Sequence, residues 1–257
     1  MTDLELLEQI AATVREAGAR ALELFRDGCA VSEKPDQSPV TEADLAAEAI
    51  IFEGLSRYAS GVPVVAEEAC ADGRIPAVDR EFFLVDPIDG TKSFVARDGD
   101  WTVNVGLVRD GQPALGVAMQ PTTGTLYLGI VGEGAWRERG GQREPIRARP
   151  VPAENPVALI SRDYYDEATA ATLDHLGAHE RVPVGSSLKL CLLAAGEGDV
   201  VARHAPCSEW DTAAAHAVLL AAGGQTELLE GEGPLTYGKP GFRNPGFVAW
   251  GAGTSAN

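Results

Sequence analysis

From Phe82 onward the chain reads as a succession of short apolar runs, each closed by turn residues. Phe82-Phe83-Leu84-Val85 stops at Asp86, and runs over 102–108, 114–119 and 125–131 follow, separated by Asp110-Gly111 and by Pro121-Thr122-Thr123-Gly124. Runs of this length, rich in β-branched and aromatic residues and bounded by Asp, Gly and Pro, are strands joined by turns. With Val62–Ala66 ahead of them, they predict a meander of antiparallel strands. Two helices precede it. Leu7, Ile10, Ala11, Val14, Ala21, Leu22 and Phe25 recur at helical spacing over 3–26, the mark of an amphipathic helix. Thr41-Glu42-Ala43-Asp44 reads as a capping box that starts a second one. Residues 32–39 between them are expected to form a loop or a short hairpin.

Residues 138–156 break the pattern with Gly140-Gly141 and four prolines set among arginines. This is the best candidate boundary, dividing the chain into 1–150 and 151–257, although Ile146 could mark a last edge strand. The arginine cluster is read as a solvated hairpin. Beyond it strands and helices alternate: strands at 157–160, 200–202 and 247–250, helices at 167–176, 187–195 and 211–222, the last stopped by Gly223-Gly224. Such alternation predicts an α/β half.

The chain of 257 residues carries 21 Lys+Arg against 38 Asp+Glu, a net charge of −17. That excess opposes a sequence-independent nucleic-acid binder, which works through basic contacts to phosphates. It leaves room for a small phosphorylated ligand if metal cations meet it. No run of 18 apolar residues exists, so no membrane-spanning helix is expected. The acidic start Met1-Thr2-Asp3-Leu4-Glu5 lacks the basic region of a secretion signal. Cys29, Cys70, Cys191 and Cys207 are scattered, which fits thiols in a reducing cytoplasm. His175 and His179 lie four apart without the acidic pattern of a zinc helix, and Gly233 to Lys239 has P-loop spacing but is followed by Pro240; both are set aside.

Three acidic strand ends stand out: Glu67-Glu68, Asp86-Pro87-Ile88-Asp89 and Trp210-Asp211. A strand that ends in a carboxylate sets it at the sheet's rim. Asp86 and Asp89, three apart with a proline between, can converge on one cation, and oxygen-only sets favour Mg²⁺, Mn²⁺ or Ca²⁺ over zinc. Singly, each has a plainer reading: Asp89-Gly90 is a common turn pair and Asp211 can cap its helix. Together, in a chain this acidic, they point to a metal cluster. Gly90-Thr91-Lys92 follows, a glycine and a hydroxyl residue that can offer N–H groups to a phosphate oxygen.

These segments carry a resemblance. Phe83 to Thr91 is similar to a signature of the inositol monophosphatase superfamily of metal-dependent phosphatases. Glu67-Glu68 resembles its upstream acidic pair, and Trp210-Asp211-Thr212-Ala213-Ala214 with Ala221-Ala222-Gly223-Gly224 its second signature. Ser38-Pro39-Val40-Thr41-Glu42-Ala43-Asp44 resembles its N-terminal stretch. A narrower likeness, to the 3'(2'),5'-bisphosphate nucleotidase branch, lies in Asp89-Gly90-Thr91-Lys92-Ser93-Phe94, Arg97, Trp101-Thr102-Val103-Asn104, Gly185 to Cys191 and Asn244-Pro245-Gly246-Phe247. Ser93 and His204 depart from it, standing where glutamate and an aromatic are usual.

The resemblance implies a five-layer αβαβα sandwich. It implies two or three Mg²⁺ held by Glu67, Asp86, the Ile88 carbonyl, Asp89 and Asp211, with Asp44 and Thr91 orienting and deprotonating the attacking water. Gly90 and Thr91 N–H groups would hold the phosphate to be cleaved. The substrate would touch Glu67, Ile88, Asp89, Gly90, Thr91 and Asp211, with Ser186, Ser187, Lys189 and Arg203 as candidates for reading a second phosphate. Asp44, as the fourth residue of a capping box, has a structural alternative. The implied activity is removal of the 3'-phosphate from adenosine 3',5'-bisphosphate, and from its sulfated relative, by a cytoplasmic monomer or homodimer that is sensitive to lithium. Association with the inner face of the membrane stays open. The alternatives are an inositol-phosphate or histidinol-phosphate phosphatase on the same scaffold and a non-catalytic nucleotide-binding regulator.

Overall fold

A computed structural model describes residues 1–34, 39–162 and 164–253. The chain begins with α1 (Asp3–Asp27), capped by a Thr2–Glu5 capping box. A short antiparallel pair follows, β1 (Val31–Glu33) and β2 (Pro39–Thr41), so the expected hairpin is present at its two ends. Ser38, at the head of the N-terminal motif, lies outside the described residues. In α2 (Glu42–Tyr58) the Thr41 hydroxyl accepts the Ala43 N–H, and Asp44 accepts the Thr41 N–H and hydroxyl.

The main sheet has seven strands in sequence order: β3 (Val64–Ala66), β4 (Glu81–Asp89), β5 (Thr102–Arg109), β6 (Gln112–Gln120), β7 (Thr125–Ile130), β8 (Gly134–Arg139) and β9 (Gln142–Ile146). From β4 onward it is the expected antiparallel meander. One expectation needs correction. β3 runs parallel to β4, because α3 (Glu67–Ala71) and the segment after it carry the chain back to the same edge. β9 ends at Ile146, the residue expected to mark a last edge strand. The arginine-rich stretch is a regular hairpin whose charges are paired: Arg137 with Glu144 and Glu197, Arg143 with Glu138 and Glu8. Between β4 and β5 lies α4 (Thr91–Ala96), too short to show periodicity.

The second sheet is mixed. It contains β10 (Ala158–Ser161), β11 (Arg181–Val184), β12 (Val200–Arg203), β14 (Gln225–Leu228) and β16 (Phe247–Trp250), in the order β11-β10-β12-β16-β14. β10 pairs in parallel with β11 and β12, and β16 runs antiparallel to β12 and β14. The helices of this half are α5 (Glu167–His175), α6 (Leu188–Ala194) and α7 (Ala213–Ala221). A small pair, β13 (Cys207–Ser208) with β15 (Arg243–Asn244), stands apart. β11 and β14 were not legible in the sequence, being mostly polar or partly exposed.

Apolar packing stacks these elements in the five expected layers. Leu7, Ile10 and Val14 of α1 and Ile51 of α2 join Val105, Val117 and Leu128 on one face of the first sheet. Ala118 and Tyr127 on the other face share a cluster with Leu190 and Leu193 of α6, Val218 and Leu219 of α7, and Leu159, Val201 and Phe247 of the second sheet. Leu173 of α5 closes the far side against Ala158, Val200 and Val248.

The middle layer is seated by a groove. Gly106, Gly116 and Gly129 lie opposite one another on β5, β6 and β7, and α7 runs against them. A Cβ at Gly116 would stand 2.1 Å from the Ala214 carbonyl oxygen, and one at Gly129 2.6 Å from the Val218 Cα.

Candidate active site

The ends of β3, β4 and β12 and the start of α7 open on one cavity of about 400 Å³. In a regular strand, Asp86 and Asp89 would point to opposite faces, since their spacing is odd. The strand is not regular there. Asp86 pairs with Asn104 and Asp89 with Thr102, so three steps on β4 match two on β5. This one-residue bulge, at a proline that has no N–H to give the ladder, turns both carboxylates into the cavity.

Glu67 enters from the first turn of α3, directly after β3. Asp211 comes from the turn before α7, where its Oδ2 accepts the Ser208 N–H at 3.1 Å. Because α7 lies in the glycine groove of the first sheet, a residue 122 positions beyond Asp89 reaches the same cavity. The Ile88 carbonyl accepts the Thr91 hydroxyl at 3.1 Å. Gly90, at φ 91°, turns the chain from β4 into α4, and Phe94 anchors that helix in an aromatic cluster with Phe25 and Trp101.

Burial, then the charges of Glu67, Asp89, Asp211 and Asp44, raise the Asp86 carboxyl well above the usual carboxylate range. Burial, with Asp89 and Glu67 adding to it, pushes Asp211 up to about 8. Burial brings Asp89 to about 6, against the opposing pull of Lys189 and the Ser187 N–H. Asp44 also reaches about 6 through burial, despite its two hydrogen bonds from Thr41. It does not line the cavity.

Asp86 Oδ1 is buried and has no hydrogen-bond partner. A buried carboxylate oxygen among three more carboxylates calls for a cation. An all-oxygen donor set suits Mg²⁺, so the residues fit that ion. Among the described residues the carboxylates do not close on a ready-made point with three protein ligands. Their mutual repulsion opposes closure, and Lys34 draws Glu67 toward Glu68 with contacts of 2.6 and 2.7 Å.

The remaining wall is cationic and hydroxylic. Ser186, Ser187, Lys189 and Arg203 all line the cavity. Ser187 stands at the N-terminal boundary of α6, and its hydroxyl, rather than capping the helix, is tied to Thr102 and Asn104 of β5. Lys189 donates to the Ser186 carbonyl at 2.6 Å, and Arg203 to the Ala205 carbonyl at 3.0 Å. Ser93 is buried with an unpartnered hydroxyl. The His204 ring bonds Thr172 of α5 at 2.8 Å and does not line the cavity. Sequence reasoning did not find Lys34 or Tyr164, which sit in loops without a motif, nor the part that Lys92 plays in the wall. Behind Asp211 lies a buried network: Asn244 and Tyr237 meet Thr212, and Tyr237 meets His216, whose other ring nitrogen meets Thr226. Burial keeps His216 neutral, down to about 3.

The family model for the inositol monophosphatase family matches residues 3–250. The chain belongs to the inositol monophosphatase family. Its members are metal-dependent phosphatases, and the carboxylate cavity sits where their signatures fall in this sequence. Among curated proteins, the 3'(2'),5'-bisphosphate nucleotidase CysQ of Salmonella typhimurium is 39% identical over 245 residues, covering 94% of this chain and 98% of its own. That of Escherichia coli K12 is 39% identical over 246 residues, with the same coverage. Among solved structures, CysQ from Bacteroides thetaiotaomicron matches with a TM-score of 0.80 at 31% identity, covering 97% of this chain and 98% of that one. The inositol monophosphatase from Anabaena sp. PCC 7120 matches at 0.78 and 26%, covering 98% and 92%. These place the chain's fold within the family's five-layer architecture.

Proposed function

We propose that this phosphatase is a 3'(2'),5'-bisphosphate nucleotidase that removes the 3'-phosphate of adenosine 3',5'-bisphosphate to give AMP, and does the same to 3'-phosphoadenylyl sulfate. The observation that carries the reading is the pairing of opposites in one cavity. The unpartnered Asp86 oxygen lies among carboxylates suited to cations, and Lys189 and Arg203 line the same space. The first set serves the phosphate that is cleaved, the second a phosphate that is kept. Two CysQ nucleotidases at 39% identity support the choice of substrate.

In this reading Glu67, Asp86, the Ile88 carbonyl, Asp89 and Asp211 hold two or three Mg²⁺. Bound there, the ions offset charge on the phosphate and lower the pKa of water. Gly90 and Thr91 orient the phosphate through backbone N–H groups. The Thr91 hydroxyl donates its hydrogen bond to the Ile88 carbonyl, so its lone pairs can accept a hydrogen bond from the attacking water. Asp44, raised by burial to about 6, is the base in this reading, and since it does not line the cavity it would receive the water's proton through an intervening group. Four unbridged cysteines support a reducing, cytoplasmic setting, and among the described residues no helix is long and apolar enough to cross a membrane.

The test compares kcat/KM for adenosine 3',5'-bisphosphate and inositol 1-phosphate at matched Mg²⁺. The bisphosphate is expected to be preferred. Lys189→Ala or Arg203→Ala should cut that preference roughly 10- to 150-fold, the effect of one charge-assisted contact of about 1.5–3 kcal/mol. Equal turnover of the two substrates, or binding of the nucleotide without turnover, would sink the proposal.

A further inference from the structure

Resting on the reading of Asp211 as a metal ligand, a further feature lies behind the cavity wall. Asp211 stands in the turn 208–212, which leads from β13 into α7. The Ser208 N–H donates to Asp211 Oδ2 at 3.1 Å. Both ends of that turn meet one side chain, Asn244 of β15, which is 1% exposed and does not line the cavity. Its Nδ2 donates to the Thr212 hydroxyl at 2.8 Å and to the Ser208 carbonyl at 3.4 Å. The Thr212 hydroxyl donates to the Glu209 carbonyl at 3.2 Å, so toward Asn244 it accepts.

The direction of the Asn244 amide is fixed by its other neighbour. Asn244 Oδ1 accepts from Lys239 Nζ at 3.1 Å. An ammonium has donors only, so the amide oxygen must face Lys239 and the NH₂ must face the turn. Lys239 is held in its place by Glu209, which is fully buried. The Glu209 carboxylate lies 2.6 Å from Lys239 Nζ and accepts the backbone N–H groups of Gly238 at 2.7 Å and Lys239 at 3.0 Å. The Thr236 carbonyl accepts the third ammonium hydrogen. Residues 236–244 thus form a strap across the back of the turn, fastened to it at Ser208, Glu209 and Thr212. The like charges of Asp89 and Glu67 act on Asp211 from the cavity side, so a ligand placed there needs such a hold.

We propose that Asn244, oriented by the Lys239–Glu209 pair, is a positioning residue that holds Asp211 at the divalent-cation site against the repulsion of the other carboxylates.

The experiment titrates Mn²⁺, which suits the same oxygen ligands as Mg²⁺, into EDTA-treated enzyme well below its melting temperature. Free Mn²⁺ is read by electron paramagnetic resonance. Asp211→Asn should lose one bound ion. In Asn244→Leu one ion should bind roughly 10-fold more weakly, the lower end of the range for groups that hold a metal ligand, because Asn244 acts through the turn and not on the carboxylate itself. Thr212→Val keeps the shape and removes the acceptor. It should weaken the same ion, and it decides the question if Asn244→Leu does not fold. The Mg²⁺ concentration for half-maximal activity should rise in parallel. Folded variants that melt lower but bind Mn²⁺ as the wild type does would make Asn244 a support of the fold alone. That result overturns the inference and leaves the metal role of Asp211 standing. Unchanged Mn²⁺ binding in Asp211→Asn would overturn both.

Discussion

Asp86 is fully buried, faces like charges and has an oxygen with no hydrogen bond. A side chain of that kind is costly to the fold unless a cation meets it. Replacing it by asparagine separates the two roles. Asp86→Asn should lower phosphate release by several orders of magnitude, because a ligand is lost. The same change removes a buried charge, so in EDTA the melting temperature of the variant should be no lower than that of the wild type. Near-normal turnover by the folded variant would remove Asp86 from the site. At this scale the sequence was informative for the acids. Asp86 and Asp89 end an apolar run, and no helix or turn needs both. It was silent on Lys34, whose partners Glu67 and Glu68 lie more than thirty positions away, and on Tyr164, whose ring meets Lys92 and Arg203 from distant segments.

At the scale of elements, the site depends on how α7 is seated. Asp211 precedes it by two residues, and the row of Gly106, Gly116 and Gly129 lets its backbone approach the first sheet. Gly116→Ala would place a methyl against the Ala214 carbonyl. Overpacking of this kind costs about 1–3 kcal/mol, which for a chain of this size lowers the melting temperature by several degrees. The displacement also carries Asp211 away from Asp89, so the Mg²⁺ concentration needed for half-maximal activity should rise. Calorimetry together with a Mg²⁺ titration of activity tests this. A stable variant with an unaltered Mg²⁺ requirement would show that the groove does not position the ligand. The second element-level device, the bulge between Asp86 and Asp89, follows from Pro87. The proline is plain in the sequence. The one-residue slip it accompanies is a property of the pairing with β5.

The whole molecule brings three acidic segments around one cavity, with Asp44 buried outside its lining, and its stability should record this. Asp44 and Asp89 reach about 6 and Asp211 about 8, mainly through burial. Their folded-state values lie above those of an unfolded chain. Between about pH 4 and pH 8 the folded protein therefore holds more protons than the unfolded one, and stability falls as pH rises. In EDTA, the melting temperature should decline across that window, and saturating Mg²⁺ should raise it far more at pH 8 than at pH 5. Asp3 and Glu8, lowered by hydrogen bonds from Arg109 and Arg143, act in the opposite sense below about pH 4, and the buried His216, held down to about 3, opposes the carboxylates as one group up to about pH 6.5. A melting temperature in EDTA that climbs from pH 5 to pH 8 would contradict this account of the carboxylates.

Much of the molecule was determined locally. Helical spacing marked α1, the Thr41–Asp44 box marked α2, and alternating apolar runs with their turns marked β4 to β7, because side-chain periodicity and turn chemistry act over a few residues. The carboxylates that form the site were legible for the same reason, each interrupting an apolar pattern. What the tertiary structure decided was everything that joins distant segments. The parallel pairing of β3 with β4 required a crossover, and the arginines of the β8–β9 hairpin find part of their acids on distant segments, Glu197 and Glu8. The meeting of Asp211 with Asp89 required a glycine groove in register across three strands, and the sharing of Tyr164 by Lys92 and Arg203 required two halves to face each other. Such features depend on backbone approach and charge pairing across the fold, and a local pattern holds no record of either.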